Sequence, residues 1–343
     1  MNQFLSSNEV AKIKELTQIR QKNNDVSWLI CDYLNDNACA ITKEMMEEVN
    51  PNKEIPEQTI YFALLTFICG LDTQNNETDK QLANDYFRKA IKQLRIESYI
   101  ENPYYKNIKI PQVKFCDWQF EYEKYQPYEA FIYNDIILEK DFKEIPCLGF
   151  FNKEFSFPAV MEHNHEWMAI KPNEIETMQS AIDIVKGKVI TFGLGLGYFP
   201  YMASIKENVE SITVIERDNE VIKLFKKYIL PQFSQKEKIE IINADAFEFI
   251  EKVMPNKNYD YSFVDLWHDV SDGLEVYLKI KKLEYLFPKT KFLYWIEDSL
   301  LSGFRWKIFN SVVENSKSYY EIKKYLSNPF LKQLVKTKVC TSR

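Results

Sequence analysis

The stretch Val189-Ile-Thr-Phe-Gly-Leu-Gly-Leu-Gly-Tyr-Phe-Pro-Tyr-Met-Ala-Ser204 limits the folds open to this chain more than any other. Val189, Ile190 and Phe192 form an apolar run suited to a buried strand. Gly193, Gly195 and Gly197 then turn the chain with no side chains in the way. Pro200 suits the first turn of a helix, where its missing N–H costs nothing. Strand, glycine turn and helix start together make a surface that admits a closely approaching ligand and favours an anionic group. The same triplet can be a plain tight turn, so its weight comes from the residues downstream of it.

Downstream of the turn, strand and helix alternate. Ser211–Glu216 reads as a strand ending in an acid, and Asn219–Leu230 as a helix stopped by Pro231. Ile239–Ile242 reads as a strand running into Asn243-Ala-Asp-Ala246, and Phe247–Val253 as a helix. Tyr261–Val264 is a strand ending in Asp265-Leu-Trp-His-Asp269, Leu274–Phe287 a helix, and Phe292–Ile296 a strand. Repeated units of this length require a parallel sheet with right-handed crossovers. Ligands of such sheets bind beyond the carboxyl ends of the strands, and the glycines, Glu216, Asp245 and Asp265 all fall there.

Upstream the character differs. Residues 1–110 read as an all-helical region, clearest at Lys80–Arg95, where Leu82, Tyr86, Phe87, Ala90, Ile91 and Leu94 share a helical face. No catalytic spacing occurs there, which suggests a packing or oligomerisation module, or a lid. Asn102-Pro-Tyr-Tyr105 reads as a turn. Residues 111–171 read as a small β-rich segment. Asn134-Asp135 is expected to turn a hairpin between Phe131-Ile-Tyr and Ile136-Ile-Leu, and His163-Asn-His165 to link two further strands. Pro172–Gly187 reads as a helix with Gly187 as its C-cap, opening the Rossmann-like domain at 172–343.

The 343 residues carry a net charge of −6, which argues against a nucleic-acid binder built on excess positive charge. The six cysteines (Cys31, Cys39, Cys69, Cys116, Cys147, Cys340) lack metal spacing, and only three histidines exist (His163, His165, His268), so no metal is expected. The longest apolar run, Tyr61–Leu71, is too short to span a bilayer, and a reduced, cytoplasmic protein with no membrane partner is the economical expectation.

A dinucleotide fingerprint would need a third glycine where Tyr198 stands, and the P-loop pattern is missing. The residues do resemble the class I S-adenosylmethionine-dependent methyltransferase superfamily over about residues 188–297. Gly193-Leu-Gly-Leu-Gly197 looks like its first motif, and Thr191 stands where an early acid is common. The resemblance implies an α/β, mostly parallel Rossmann-like sheet with S-adenosylmethionine as cofactor. It implies that Glu216 accepts hydrogen bonds from the ribose hydroxyls, and that Asp245, with Ala246, binds the adenine amino group. Asp265 would lie where the reacting groups gather. Within the superfamily the nearest resemblance is to the spermidine synthase-like branch, through the β-rich segment and Glu216-Arg-Asp218. That branch carries two aspartates after the fourth strand; Asp265 matches the first, and Asp269 lies one residue too far for the second. The sequence after residue 300 reads as helix rather than as the superfamily's closing antiparallel hairpin.

Each residue also has a plainer reading: Glu216 as a surface acid, Asp245 as a helix N-cap, His268 as a packing residue. If catalytic, Asp265 and His268 would manage the acceptor's proton. The expected function is methyl transfer to a small-molecule or protein nucleophile. Aminopropyl transfer and a non-catalytic binding or scaffold role stand as alternatives, the last with the helical region as its interface.

Overall fold

The structure is a computed structural model and describes residues 7–115, 118–163 and 165–314. Cys116, Asn164 and Cys340 lie outside these. Contacts divide the chain into two units, one of Met1–Lys92, Asp135–Leu148 and Glu297–Arg343, the other of Gln93–Asn134 and Gly149–Ile296.

The first unit is mostly helical, with helices at Ser7–Asp36, Lys43–Val49, Glu57–Ile68 and Glu297–Glu314. Asn23 is its buried polar junction: Tyr86 Oη donates to its Oδ1 at 2.8 Å, and its own amide donates to the Phe142 carbonyl at 3.0 Å. No helix among the described residues is long and apolar enough to cross a membrane.

Twelve strands occur among the described residues. The first is β1 (Ile91–Gln93), then β2 (Val113–Phe115), β3 (Trp118–Tyr125), β4 (Phe131–Leu138) and β5 (Glu144–Phe150). They are followed by β6 (Phe155–Glu162), β7 (His165–Ala169), β8 (Gly187–Phe192) and β9 (Val209–Glu216), and then by β10 (Ile239–Asn243), β11 (Tyr261–Val264) and β12 (Lys291–Tyr294). In the second unit β2-β3-β6-β7 form an antiparallel sheet, and β10-β9-β8-β11-β12 a sheet that is parallel throughout. Strands β1, β5 and β4 pair in that order.

In the parallel sheet the chain builds outward from β8 to β10, then returns to the other side of β8 for β11. The order therefore reverses between β8 and β11, which is where open α/β sheets bind ligands. Phe192 and Val264, the last residues of these two strands, are register partners and fully buried. Phe199 from the helix after the glycine turn stacks on Phe263, with ring centroids 4.2 Å apart.

Four local expectations are corrected. The Lys80–Arg95 helix ends at Ala90, because Ile91 turns extended and enters β1, so the N-terminal region is not wholly helical. Asn134-Asp135 lies inside the continuous strand β4. The Asp135 carboxylate builds no turn; it accepts from the Asp298 and Ser299 amides at the start of the helix Glu297–Glu314, at 3.0 and 3.1 Å. Gly187 is not a C-cap: the helix Pro172–Ile184 is closed by Val185, and Gly187 starts β8 at φ +64°. Its missing side chain leaves room for Asp260, which accepts from the Lys188 amide at 2.8 Å. Asn102 begins a short helix, Pro103–Asn107, and caps it by accepting from the Tyr104 amide at 2.9 Å.

Gly193 follows β8 at φ +100°, and a Cβ there would overlap the Asp265 carbonyl oxygen, which is fixed backbone. Gly193→Ala should therefore cost on the order of 3 kcal/mol, from combined backbone strain and overlap. Urea unfolding of the variant beside the wild type measures this; a loss below about 0.5 kcal/mol, the ordinary surface range, would show that the crossing is not tight.

Candidate active site

The glycine turn is held at several points. The Gly193 amide donates to the Ile215 carbonyl at 2.9 Å, and the Gly197 amide to the Leu194 carbonyl at 2.8 Å. From behind, Tyr104 Oη donates to the Leu196 carbonyl at 2.6 Å, and Asn102 donates to Tyr198 Oη at 2.9 Å. The Asn102–Tyr105 string thus supports the turn, a role not read from its sequence. The three glycines differ in what they allow. Gly193 admits the Asp265 carbonyl, and Gly197, at φ +75°, admits the Phe225 ring. Gly195, at φ +48°, faces the Met168 side chain.

Glu216 ends β9 and is engaged at both oxygens. Oε1 accepts from the Asp218 amide at 2.8 Å, and Oε2 from the Leu194 amide at 3.2 Å. A carboxylate offers about four acceptor directions, so capacity remains for two hydroxyl donors. Burial raises its pKa, and the backbone amides only partly offset that. Asp245 is exposed, while Ala246 beside it is buried. Asp245 Oδ1 accepts from the Glu248 amide at 3.0 Å, so the N-cap role is observed, and its second oxygen has no bond among the described contacts.

Asp265 follows β11, and its amide donates to the Phe192 carbonyl at 3.0 Å. Burial pushes its carboxyl up to about 7. Glu174 interacts with it electrostatically and is raised well above the carboxylate range, first by burial and then by the charge of Asp265. Glu174 sits in the first turn of the helix Pro172–Ile184 and is only 8% exposed. Its neighbours extend the acidic run. Burial pushes Glu166 up, but Lys171, with Nζ 2.5 Å from the carboxylate, outweighs burial and leaves it lowered. Glu123 is raised to about 7 by burial and by its hydrogen bond with Glu166. The run does not converge as a metal cage: no group of three or more His, Cys, Asp or Glu among the described residues could hold a metal ion.

His268 is exposed and tied to β7. Its Nε2 lies 3.3 Å from the Glu166 carbonyl, which can only accept, so Nε2 carries the hydrogen there. Its ring meets Trp167 edge-on, with centroids 6.1 Å apart. Asp269 caps the helix Val270–Lys281, accepting from the Ser271 amide at 2.6 Å. Trp267 is buried, and its indole N–H has no acceptor among the described residues.

Residues 204–282 match the spermine/spermidine synthase domain. The matched span contains Glu216, Asp245, Asp265 and His268 and begins after the glycine turn. A comparison with curated proteins returns no match. With the five-stranded parallel sheet, the domain match supports a class I methyltransferase-like fold and a transferase, and it leaves methyl and aminopropyl transfer undivided.

The sequence reading names Glu216, Asp245 and Asp265 as candidates and does not name Glu174, Glu166, Lys171 or Met168, which the structure places beside them. A signal for Glu174 was present. It stands four residues before Met178 and eight before Ile182, on the helix's apolar stripe, where an acid is out of place.

A raised carboxyl pKa has a stability consequence. Between the unfolded value, near 3.9, and about 7, the folded state holds more protons than the unfolded chain. Stability contributed by Asp265 therefore falls as pH rises through that window. Asp265→Asn should be more stable than the wild type at pH 7.5, by on the order of 2 kcal/mol, with the gap closing toward pH 4.5. Urea unfolding at a series of pH values measures the gap; a gap independent of pH would contradict the burial of this acid.

Proposed function

We propose that the second unit is an S-adenosylmethionine-dependent methyltransferase whose acceptor is an amine, on a small molecule or a protein. The observation that carries the amine is the acidic run Glu123, Glu166, Glu174 and Asp265. The cation beside this run is Lys171, and it is already paired with Glu166.

The residues fit the donor. Glu216 retains acceptor capacity for two ribose hydroxyls, Asp245 retains an oxygen for an exocyclic amino group, and buried Ala246 gives the adenine an apolar neighbour. When bound, the donor supplies an electrophilic methyl carbon on a sulfonium. The chain's own part is to bind, orient and handle the proton. Before an amine arrives, burial raises the pKa of both Asp265 and Glu174, and the charge of Asp265 raises Glu174 further. A cationic amine beside Asp265 stabilises its ionised form, so binding drives a proton off the acid pair. The carboxylate is then a hydrogen-bond acceptor that orients the nitrogen and takes its proton. His268, held against the Glu166 carbonyl through Nε2, keeps Nδ1 as its acceptor and is the candidate for a second proton carrier.

Aminopropyl transfer from the decarboxylated donor is the second reading, favoured by the domain match. Against it, Asp269 is committed to capping a helix, which leaves the second aspartate of that chemistry without a counterpart here. The non-catalytic alternative predicts donor binding without transfer.

Glu216→Gln is the sharper test of the donor site, because Ala would also strip acceptors from two amides. Loss of a charge-assisted bond worth roughly 1.5–3 kcal/mol should weaken S-adenosylhomocysteine at least tenfold by calorimetry. Equal affinity in the variant would remove Glu216 from the site. In a screen of amines with labelled donor, Asp265→Asn should bind the donor normally and turn over roughly a hundredfold more slowly. Turnover at the wild-type rate would make Asp265 structural, and transfer from only the decarboxylated donor would favour the second reading.

A further inference from the structure

Gly195 is the one glycine of the turn whose missing side chain is matched by a movable group. A Cβ built there would overlap Met168 Sδ, with the methyl carbon of the same side chain close behind. The same sulfur accepts the Leu196 amide hydrogen, N to Sδ 3.1 Å. Two observations thus place the Met168 thioether directly against the Gly195–Leu196 peptide. This is the face of the turn that a donor must approach if the proposed function holds, and the inference rests on that reading.

We infer that Met168 is a resident occupant of donor space, which must swing aside for the donor to reach the glycine turn. The chemistry suits displacement. A thioether is a weak acceptor, so the Leu196 N–H gives up little when an oxygen of the ligand replaces sulfur. Methionine has three rotatable bonds and repacks readily. Met168 is only part-buried, unlike Leu194 and Leu196 on the turn itself. It lies on β7, an edge strand of its sheet, two residues from Glu166, whose carbonyl meets His268. The strand that carries the occupant therefore also meets the loop after β11. In the closed arrangement the sulfur keeps the Leu196 amide paired and shields the turn. The space beside Gly195 is filled by Met168, and a side chain at position 195 would collide with it first.

The test compares wild type, Met168→Ala and Met168→Leu, with S-adenosylhomocysteine as probe. Calorimetry and thermal shift report binding, and methionine methyl-13C NMR reports the side chain, the Met168 signal being the one missing from Met168→Leu. Met168→Ala should bind three- to tenfold more tightly than wild type. Met168→Leu, which keeps the bulk, should stay within about threefold of wild type. The Met168 methyl signal should move on titration with the same midpoint as the heat. Tight binding by Met168→Ala alone would also support the inference. Wild-type binding with an unmoved Met168 signal, and affinity unchanged in Met168→Ala, would overturn it while leaving the donor site standing. No heat and no thermal shift in any of the three proteins would overturn the donor reading and the inference with it.

Discussion

The site depends on one backbone contact, the approach of Gly193 to the Asp265 carbonyl. β8 and β11 are neighbours only because the chain returns across the sheet after building β9 and β10. Their ends converge so closely that no side chain fits at position 193. The contact is clamped on both sides, by the Asp265 amide on the Phe192 carbonyl and by the Gly193 amide on the Ile215 carbonyl. These backbone bonds bring together the glycine turn, Glu216 at the end of β9 and the acid after β11, and the Tyr104, Asn102 and Glu216 side chains complete the hold on the turn.

Electrostatics at the site is decided by where the cation is. Burial pushes Glu166, Glu174 and Asp265 in the same direction. Lys171 reverses the outcome at Glu166, whose oxygen it touches, and only tempers it at Glu174. The result is an ionised acid on β7 and a proton-holding pair beside the end of β11. Under the proposed function, a ligand cation would supply to this pair what Lys171 supplies to Glu166 and release the proton.

Most of the parallel sheet was legible, because buried parallel strands read as short apolar runs and the acids mark their ends. Ser211–Glu216, Ile239–Ile242 and Tyr261–Val264 all became strands close to their expected bounds. Legibility failed where a local signal had a distant use. Asn134-Asp135 looks like a turn, yet Asp135 serves the amides of a helix that begins at Glu297, and nothing near position 135 says so. Gly187 looks like a helix end, yet its glycine is demanded by Asp260. Glu174 was hidden for a different reason. An acid in the first turn of a helix is ordinary by the helix dipole, and only its place on the apolar stripe sets it apart.

The glycine triplet shows how far a motif can be read. Three glycines at alternate positions look equivalent in sequence, and all three adopt positive φ. Their neighbours are a backbone carbonyl, a thioether and a phenyl ring. A carbonyl of the sheet cannot move, and Phe225 is locked edge-on against Phe233 at 5.5 Å. The first and third glycines are therefore conditions of the fold, and they would be required whether or not anything bound. Only the second faces a group that can leave. The spacing that suggests a ligand thus mixes two positions closed by fixed neighbours with one whose neighbour can move. What separates them is the mobility of the neighbour, a property that no pattern of glycines can carry.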